Sequence, residues 1–190
     1  MADELQAVRS RLGAYFDTSG SVRDQCVANA TCVALSAIRM GAEITEISVV
    51  ASGDKFTVTH NGPGLSVNAD RGVPGAQEMM TVLGACHRHP GHTGLESTLC
   101  KSGLAAVTAI SASARVVTRD GGKTMVQKYS VGRPVADFTA VDAEMEGTRL
   151  DFELDKRWAG SGAFDLSMIE MRVRSVGVDL NGVTLSFKDS

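Results

Sequence analysis

The chain has 190 residues, of which 43% are hydrophobic and 22% are charged, and its formal net charge is −3. That length is sufficient for one domain with a substantial hydrophobic core. The 19 lysine and arginine residues are outnumbered by 22 aspartate and glutamate residues, and no long basic run occurs. This balance argues against a nucleic-acid-binding protein.

The N-terminal residues and the cysteines bear on the cellular compartment. The chain begins without a signal-peptide pattern, and no apolar run is long enough to span a bilayer. The four cysteines, Cys26, Cys32, Cys86 and Cys100, include no CxxC pair, so we expect reduced thiols. These features predict a cytoplasmic protein with no membrane partner.

A long helix is the first clear element. Residues 1–17 are predicted to form a short amphipathic helix and an arm that packs on the domain surface. Ser19 and Ser21 are N-cap candidates for a helix that extends to about Met40, and Gly41 suits its C-terminus.

The remaining elements alternate between hairpins and helices. The hydrophobic patterns and turn signals predict strands at 46–51 and 55–59, helices at 75–85 and 104–110, strands at 114–118, 124–130 and 147–154, a helix at 165–176 and a strand at 183–188. This order predicts a single α+β domain, a two-layer sandwich whose mixed, mostly antiparallel sheet carries its helices on one face. No βαβ alternation supports a Rossmann fold.

A candidate binding pocket lies where the second strand ends. Residues 59–65, THNGPGL, run from that strand into a turn with two glycines, whose backbone could closely approach a ligand. Gln25 and Asn29 are four residues apart on the long helix and project from one face. Alone, such a turn is more often an ordinary loop, so the other motifs decide its meaning.

Five motifs occur in a recognisable order. They are VRSRLGAY at 8–15, VANA at 27–30, NGPGL at 61–65, EMMTVLGA at 78–85 and GTRLDF at 147–152. In this order they resemble the N-terminal ATPase domain shared by gyrase B and the ParE protein of topoisomerase IV, which belong to the GHKL (Bergerat-fold) superfamily. The resemblance covers residues 8 to about 187. It implies a stand-alone Bergerat-type domain over residues 1–190, with an arm at 1–17 and a lid-like loop at 86–102.

The resemblance also identifies residues that depart from the family. The family's water-activating glutamate is replaced by Gln25, and loss of a general base costs about 10²–10⁴ in rate. The family's adenine-binding aspartate is replaced by His60, whose neutral imidazole could accept a hydrogen bond. The phosphate loop, STLCKSG at 97–103, keeps only Leu99 and Gly103 of the family pattern. Gyrase-type hydrolysis is therefore not expected. The family's transducer domain has no counterpart in this sequence, so topoisomerase activity of this chain alone is not expected either.

Other family positions are retained. Asn29 corresponds to the magnesium-binding asparagine, and Thr148 corresponds to the threonine beside the adenine. Gln25 and His60 are the candidates for a catalytic role. The predicted ligand-binding residues are Asn29, Asn61, Gly62, Gly64, Leu65, Met80, Lys101, Gly103 and Thr148.

The histidines leave further alternatives open. His60 at the turn could provide acid–base chemistry near neutral pH, and so could the three histidines of the lid segment, His87, His89 and His92. With Cys86 and Cys100 they could also bind a metal, but Pro90 and Gly91 interrupt regular ligand geometry, so no metal site is predicted.

Three functions are compatible with these residues. The favoured one is a degenerate gyrase-B-like domain that has lost ATP hydrolysis and binds a small-molecule ligand in the former nucleotide pocket. The alternatives are an enzyme that catalyses a metal-independent cyclisation or isomerisation there, and a nucleotide- or inhibitor-binding regulatory protein. The cofactor is unknown, and ATP with magnesium is not favoured. In the family the arm packs across a partner domain, which leaves open a homodimer through residues 1–17.

Overall fold

The computed structural model describes residues 4–69, 73, 75–85 and 102–189, which form seven helices and eight strands. The helices are α1 Glu4–Ser10, α2 Leu12–Tyr15, α3 Val22–Arg39, α4 Gly75–Thr81, α5 Gly103–Ala109, α6 Lys156–Ala159 and α7 Leu166–Arg174. The strands are β1 Glu46–Ser52, β2 Lys55–His60, β3 Ser111–Asp120, β4 Lys123–Ser130, β5 Arg133–Pro134, β6 Thr139–Val141, β7 Thr148–Leu154 and β8 Thr184–Asp189.

All eight strands belong to one open sheet. Its order is β5-β4-β3-β7-β2-β1-β8, and β6 pairs with β4 beside β5. The β1–β8 pair is parallel, and the other strand pairs among the described residues are antiparallel. The predicted mixed, mostly antiparallel α+β sheet is confirmed.

The two faces of the sheet differ in polarity because side chains alternate along each strand. On one face the strands bury apolar side chains against the helices, in a core that includes Val49, Phe56 and Leu150. On the other face, Arg115 and Arg149 both pair with Asp151 at 2.8 Å. Burial raises the pKa of Asp151, but the hydrogen bonds from Arg149, Thr57 and Arg115 together lower this pKa by more than burial raises it. The net shift of the Asp151 pKa is therefore downward.

Local signals at both ends of α3 explain its position. The Ser21 side chain accepts a hydrogen bond from the backbone N–H of Asp24 at 3.2 Å, as expected of an N-cap. At the other end, Gly41 has φ +84°, and the N–H groups of Gly41 and Ala42 donate to Ile38 and Ala37. This Schellman arrangement ends the helix where the sequence predicted. With 18 residues α3 is the longest described helix, and none of the helices in the described ranges is long and apolar enough to cross a bilayer.

The N-terminal arm packs on its own domain. Val8 and Phe16 are buried in the core, which confirms the predicted docking of the arm. The Arg9 guanidinium donates through Nε to the carbonyl oxygen of Ala109 at 2.7 Å, and the Ser102 hydroxyl donates to the Tyr15 carbonyl. The homodimer through this arm stays a prediction.

Several boundaries differ from the prediction. Helix α4 ends at Thr81 instead of residue 85, because the chain turns there and Gly84 has φ +70°. Strand β3 extends beyond 114–118 at both ends, where small and polar residues carry no hydrophobic alternation. The short elements β5, β6 and α6 were not predicted, because each has at most four residues.

Arg23 ties the start of α3 to two loops. Its side chain is 3% exposed, and Nη1 donates to Asp54 Oδ1 at 2.9 Å and to the Gly160 carbonyl at 3.1 Å. Its Nη2 donates to the Gly53 carbonyl, and its guanidinium carbon lies 4.5 Å from the centroid of the Phe164 ring. The buried cation thus joins α3, the β1–β2 hairpin and the loop after α6.

Replacement of Arg23 by methionine should lower the free energy of unfolding by about 2 kcal/mol, because Asp54 and the carbonyl groups of Gly53 and Gly160 lose a charged donor. Equilibrium urea unfolding measures this change. The control is Arg174→Met, whose ion pair with Glu170 is exposed and should contribute no more than about 0.5 kcal/mol. Equal effects of the two substitutions would contradict a role for Arg23 as a tie between loops.

Candidate functional site

Three polar side chains form a buried row across the sheet. His60 at the end of β2 pairs in register with Thr148 at the start of β7, and Thr148 pairs with Thr118 of β3. Their exposed fractions are 3%, 1% and 0%, and they face the helical layer. Buried polar groups are normally hydrogen-bonded, so the partners of each atom in this row define what the site can bind.

His60 has one satisfied and one unsatisfied ring nitrogen. Nδ1 accepts a hydrogen bond from the backbone N–H of Gly62 at 3.3 Å. Nε2 is buried and has no hydrogen-bond partner in the described part of the chain. Burial lowers the pKa of His60 to about 4, so the imidazole is neutral at pH 7. At that pH the imidazole can form hydrogen bonds without carrying a charge, and a catalytic role of His60 stays a prediction.

The two threonines satisfy each other and the segment after the turn. The hydroxyl groups of Thr118 and Thr148 lie 3.3 Å apart. Thr118 Oγ1 also accepts from the Leu65 N–H at 2.6 Å and lies 3.2 Å from the Leu65 carbonyl oxygen. These bonds hold the segment after the NGPG turn against β3. Among the described contacts, Thr148 has only the Thr118 hydroxyl, which leaves it free to donate or to accept a further bond.

The glycines of the turn are explained by close packing within the protein. A Cβ on Gly64 would lie 1.8 Å from the Arg119 carbonyl oxygen, and one on Gly62 would lie 2.3 Å from the Ile44 side chain. The space that a side chain would need is thus filled by β3 and by the loop before β1. The turn therefore requires glycine whether or not a ligand is present, and its two glycines no longer count as evidence for one.

Asn61 also has a structural role. Its Oδ1 accepts from the N–H groups of Thr45 and Glu46 at 3.1 and 3.0 Å, and its Nδ2 donates to Thr45 Oγ1 at 2.8 Å. Both ends of the amide thus fix the start of β1 to the turn.

Gln25 is engaged with the loop before α3. Its Oε1 accepts from the Asp17 N–H at 2.8 Å, while Nε2 donates to the carbonyl oxygens of Asp17 and Ser21 at 2.8 and 3.2 Å. The amide holds residues 17–21 in place, and its catalytic role stays a prediction.

The other predicted residues lie in the helical layer. Asn29 is buried within α3, and Met80 of α4 is buried with its sulfur 3.8 Å from the Thr108 hydroxyl. Gly103 begins α5 and has φ +68°. Their roles in ligand binding stay predictions.

Part of the predicted site lies outside the described residues. This holds for Lys101, for the histidines and cysteines of the lid segment (His87, His89, His92, Cys86 and Cys100), and for all of the lid loop except Ser102. Elsewhere in the described ranges, no group of three His, Cys, Asp or Glu side chains is arranged to hold a metal ion.

Thr118 is the residue of the row that the sequence analysis missed. It lies at the end predicted for the hydrophobic part of β3 and has no motif around it. Pairing of β3 with β7 places it beside Thr148. Correct strand pairing would have been the signal, since residues opposite each other share a face.

No protein-family model and no curated protein shows a significant match to this chain. The structure establishes an α+β domain with a mostly antiparallel eight-stranded sheet, whereas the GHKL resemblance continues to rest on the sequence motifs.

Proposed function

We propose that this chain is a degenerate gyrase-B-like GHKL domain that has lost ATP hydrolysis and binds a small ligand in the former nucleotide pocket. The observation that carries the proposal is the unsatisfied Nε2 of His60, in a side chain only 3% exposed. A buried polar atom without a partner is unfavourable by about 1–3 kcal/mol. A ligand that hydrogen-bonds this atom would recover that free energy.

The contacts of Gln25 support the loss of hydrolysis. A catalytic residue at this position must orient and deprotonate a water molecule, and a carboxamide is not a useful base. Both ends of this amide are hydrogen-bonded to residues 17–21.

The neutrality of His60 favours binding over the alternative of an enzyme. A general acid or base is most effective when its pKa lies near the working pH. The pKa of His60 is lowered to about 4 by burial, so the imidazole is better suited to hydrogen bonding than to proton transfer at pH 7. Cyclisation or isomerisation in the same pocket would need another proton-transfer group.

Calorimetric titration of the full chain with ATP, ADP and uncharged nucleosides tests the proposal. We expect binding of at least one of these ligands, no sustained magnesium-dependent phosphate release, and affinity at least about tenfold weaker in His60→Ala. The control is Thr59→Val, on the opposite face of β2, which should bind like the unmodified chain. Sustained phosphate release would contradict the proposal, and so would failure of the folded chain to bind any of these ligands.

A further inference from the structure

The hydrogen bonds around His60 determine where its proton lies. A neutral imidazole carries one N–H, so one ring nitrogen donates and the other accepts. Nδ1 lies 3.3 Å from the backbone nitrogen of Gly62, whose N–H is a donor. Nδ1 must therefore be the acceptor, and the proton lies on Nε2. The unsatisfied atom of the site is a donor.

The neighbouring Thr148 imposes no such direction. Its hydroxyl shares one hydrogen bond with the Thr118 hydroxyl, and either oxygen could be the donor. If Thr118 donates to the Leu65 carbonyl oxygen, Thr148 donates to Thr118 and keeps a lone pair for a ligand. If Thr118 instead donates to Thr148, the Thr148 hydroxyl can donate its own proton to a ligand. Only His60 therefore selects the hydrogen-bonding character of the group that faces it.

We infer that the ligand presents a ring carbonyl oxygen to His60 Nε2–H, so that the site takes an oxo-substituted, lactam-type heterocycle in preference to an amino-substituted one. The inference rests on the proposed function and specifies its ligand class. A lactam offers an acceptor oxygen beside an N–H donor, which matches the His60 N–H and a lone pair of Thr148. An amino group at His60 would place two donors against each other. An aminopurine would have to turn until a ring nitrogen faced His60.

The first test is the tautomer of His60 in the free protein. Nitrogen-15 NMR of the histidine side chains at pH 7, with His60→Asn to assign the resonances, should show His60 protonated on Nε2 and not on Nδ1. Protonation on Nδ1 would overturn the inference and leave the proposed binding function standing.

The second test compares two nucleosides of similar size, inosine with a 6-oxo group and adenosine with a 6-amino group. We expect inosine to bind at least about tenfold more tightly, because a site that leaves a polar group unpaired discriminates strongly. His60→Asp supplies an acceptor and should reverse this preference. His60→Asn can present either end of its amide and should reduce the preference to about twofold or less. Thr59→Val should keep it.

The outcomes separate the two proposals. Equal or tighter binding of adenosine by the unmodified chain would overturn the inference alone. Failure of the folded chain to bind either nucleoside would overturn the inference, and failure with ATP and ADP as well would also overturn the proposed function. Circular dichroism establishes folding of each variant, and if His60→Asp does not fold, the loss of preference in His60→Asn decides the question.

Discussion

Replacement of Gly147 by alanine is expected to lower the free energy of unfolding by about 4 kcal/mol, and with it the melting temperature by about 10 °C. Gly147 has φ +71°, a conformation that is unfavourable by about 1–2 kcal/mol for a residue with a Cβ. A Cβ would also lie 1.9 Å from the His60 carbonyl oxygen. Since that oxygen belongs to the adjacent strand, the contact can be relieved only by a backbone shift.

Gly177→Ala is the matched control for this substitution. Gly177 has φ +68° but no heavy atom within 4 Å of an added Cβ, so its replacement should cost only the conformational part, about 1–2 kcal/mol. Urea and thermal unfolding of both variants measure the difference. If the two variants lose equal stability, the close approach of β7 to β2 does not contribute.

The same contact positions the candidate site. Gly147 immediately precedes Thr148, and its carbonyl oxygen accepts a hydrogen bond from the Arg119 N–H at 2.9 Å. Three strand ends, those of β2, β7 and β3, therefore meet around one residue without a side chain. We expect a Gly147→Ala variant that remains folded to bind ligand more weakly, because the relative positions of His60 and Thr148 depend on this packing.

The sequence predicted the elements that have local start and stop signals. Helix α3 carries Ser21 and Gly41 at its ends, and the β1–β2 hairpin has a glycine in its turn. Those signals act within a few residues, so pattern analysis can detect them. The additional length of β3 comes from pairing with β4 and β7, and long-range pairing of small or polar residues leaves no periodic pattern.

The candidate site could be predicted only in part, for the same reason. The motifs directed attention to His60 and Thr148, which the structure places opposite each other on adjacent strands. The glycines of the turn suggest space for a ligand, but that space at Gly64 is filled by Arg119, a residue 55 positions further along the chain. The direction of the hydrogen bond at His60 Nδ1 likewise depends on the position of the Gly62 backbone N–H and not on residue type.

Protonation of His60 is expected to destabilise the fold by about 3 kcal/mol between pH 7.5 and pH 4. Burial lowers its pKa to about 4 in the folded protein, from the ordinary value of 6.5 that the exposed imidazole of the unfolded chain retains. The unfolded state then binds more protons across this interval, so stability falls as the pH decreases from 6.5 to 4 and is unaffected by His60 above 6.5. A proton on Nδ1 would also face the Gly62 N–H, so the charged form loses a hydrogen bond as well as solvation.

The contribution of His60 is obtained by difference, because other groups titrate in the same interval. Urea unfolding of the unmodified chain and of His60→Asn at half-unit pH intervals should give curves that separate by about 3 kcal/mol at acid pH. Parallel curves would show that His60 titrates alike in both states.

The same low pKa implies that ligand affinity is independent of pH between about 5.5 and 8, since the imidazole stays neutral throughout that range. A loss of affinity as the pH falls through 6.5 would contradict this prediction and would mean that a histidine exposed to solvent takes part in binding.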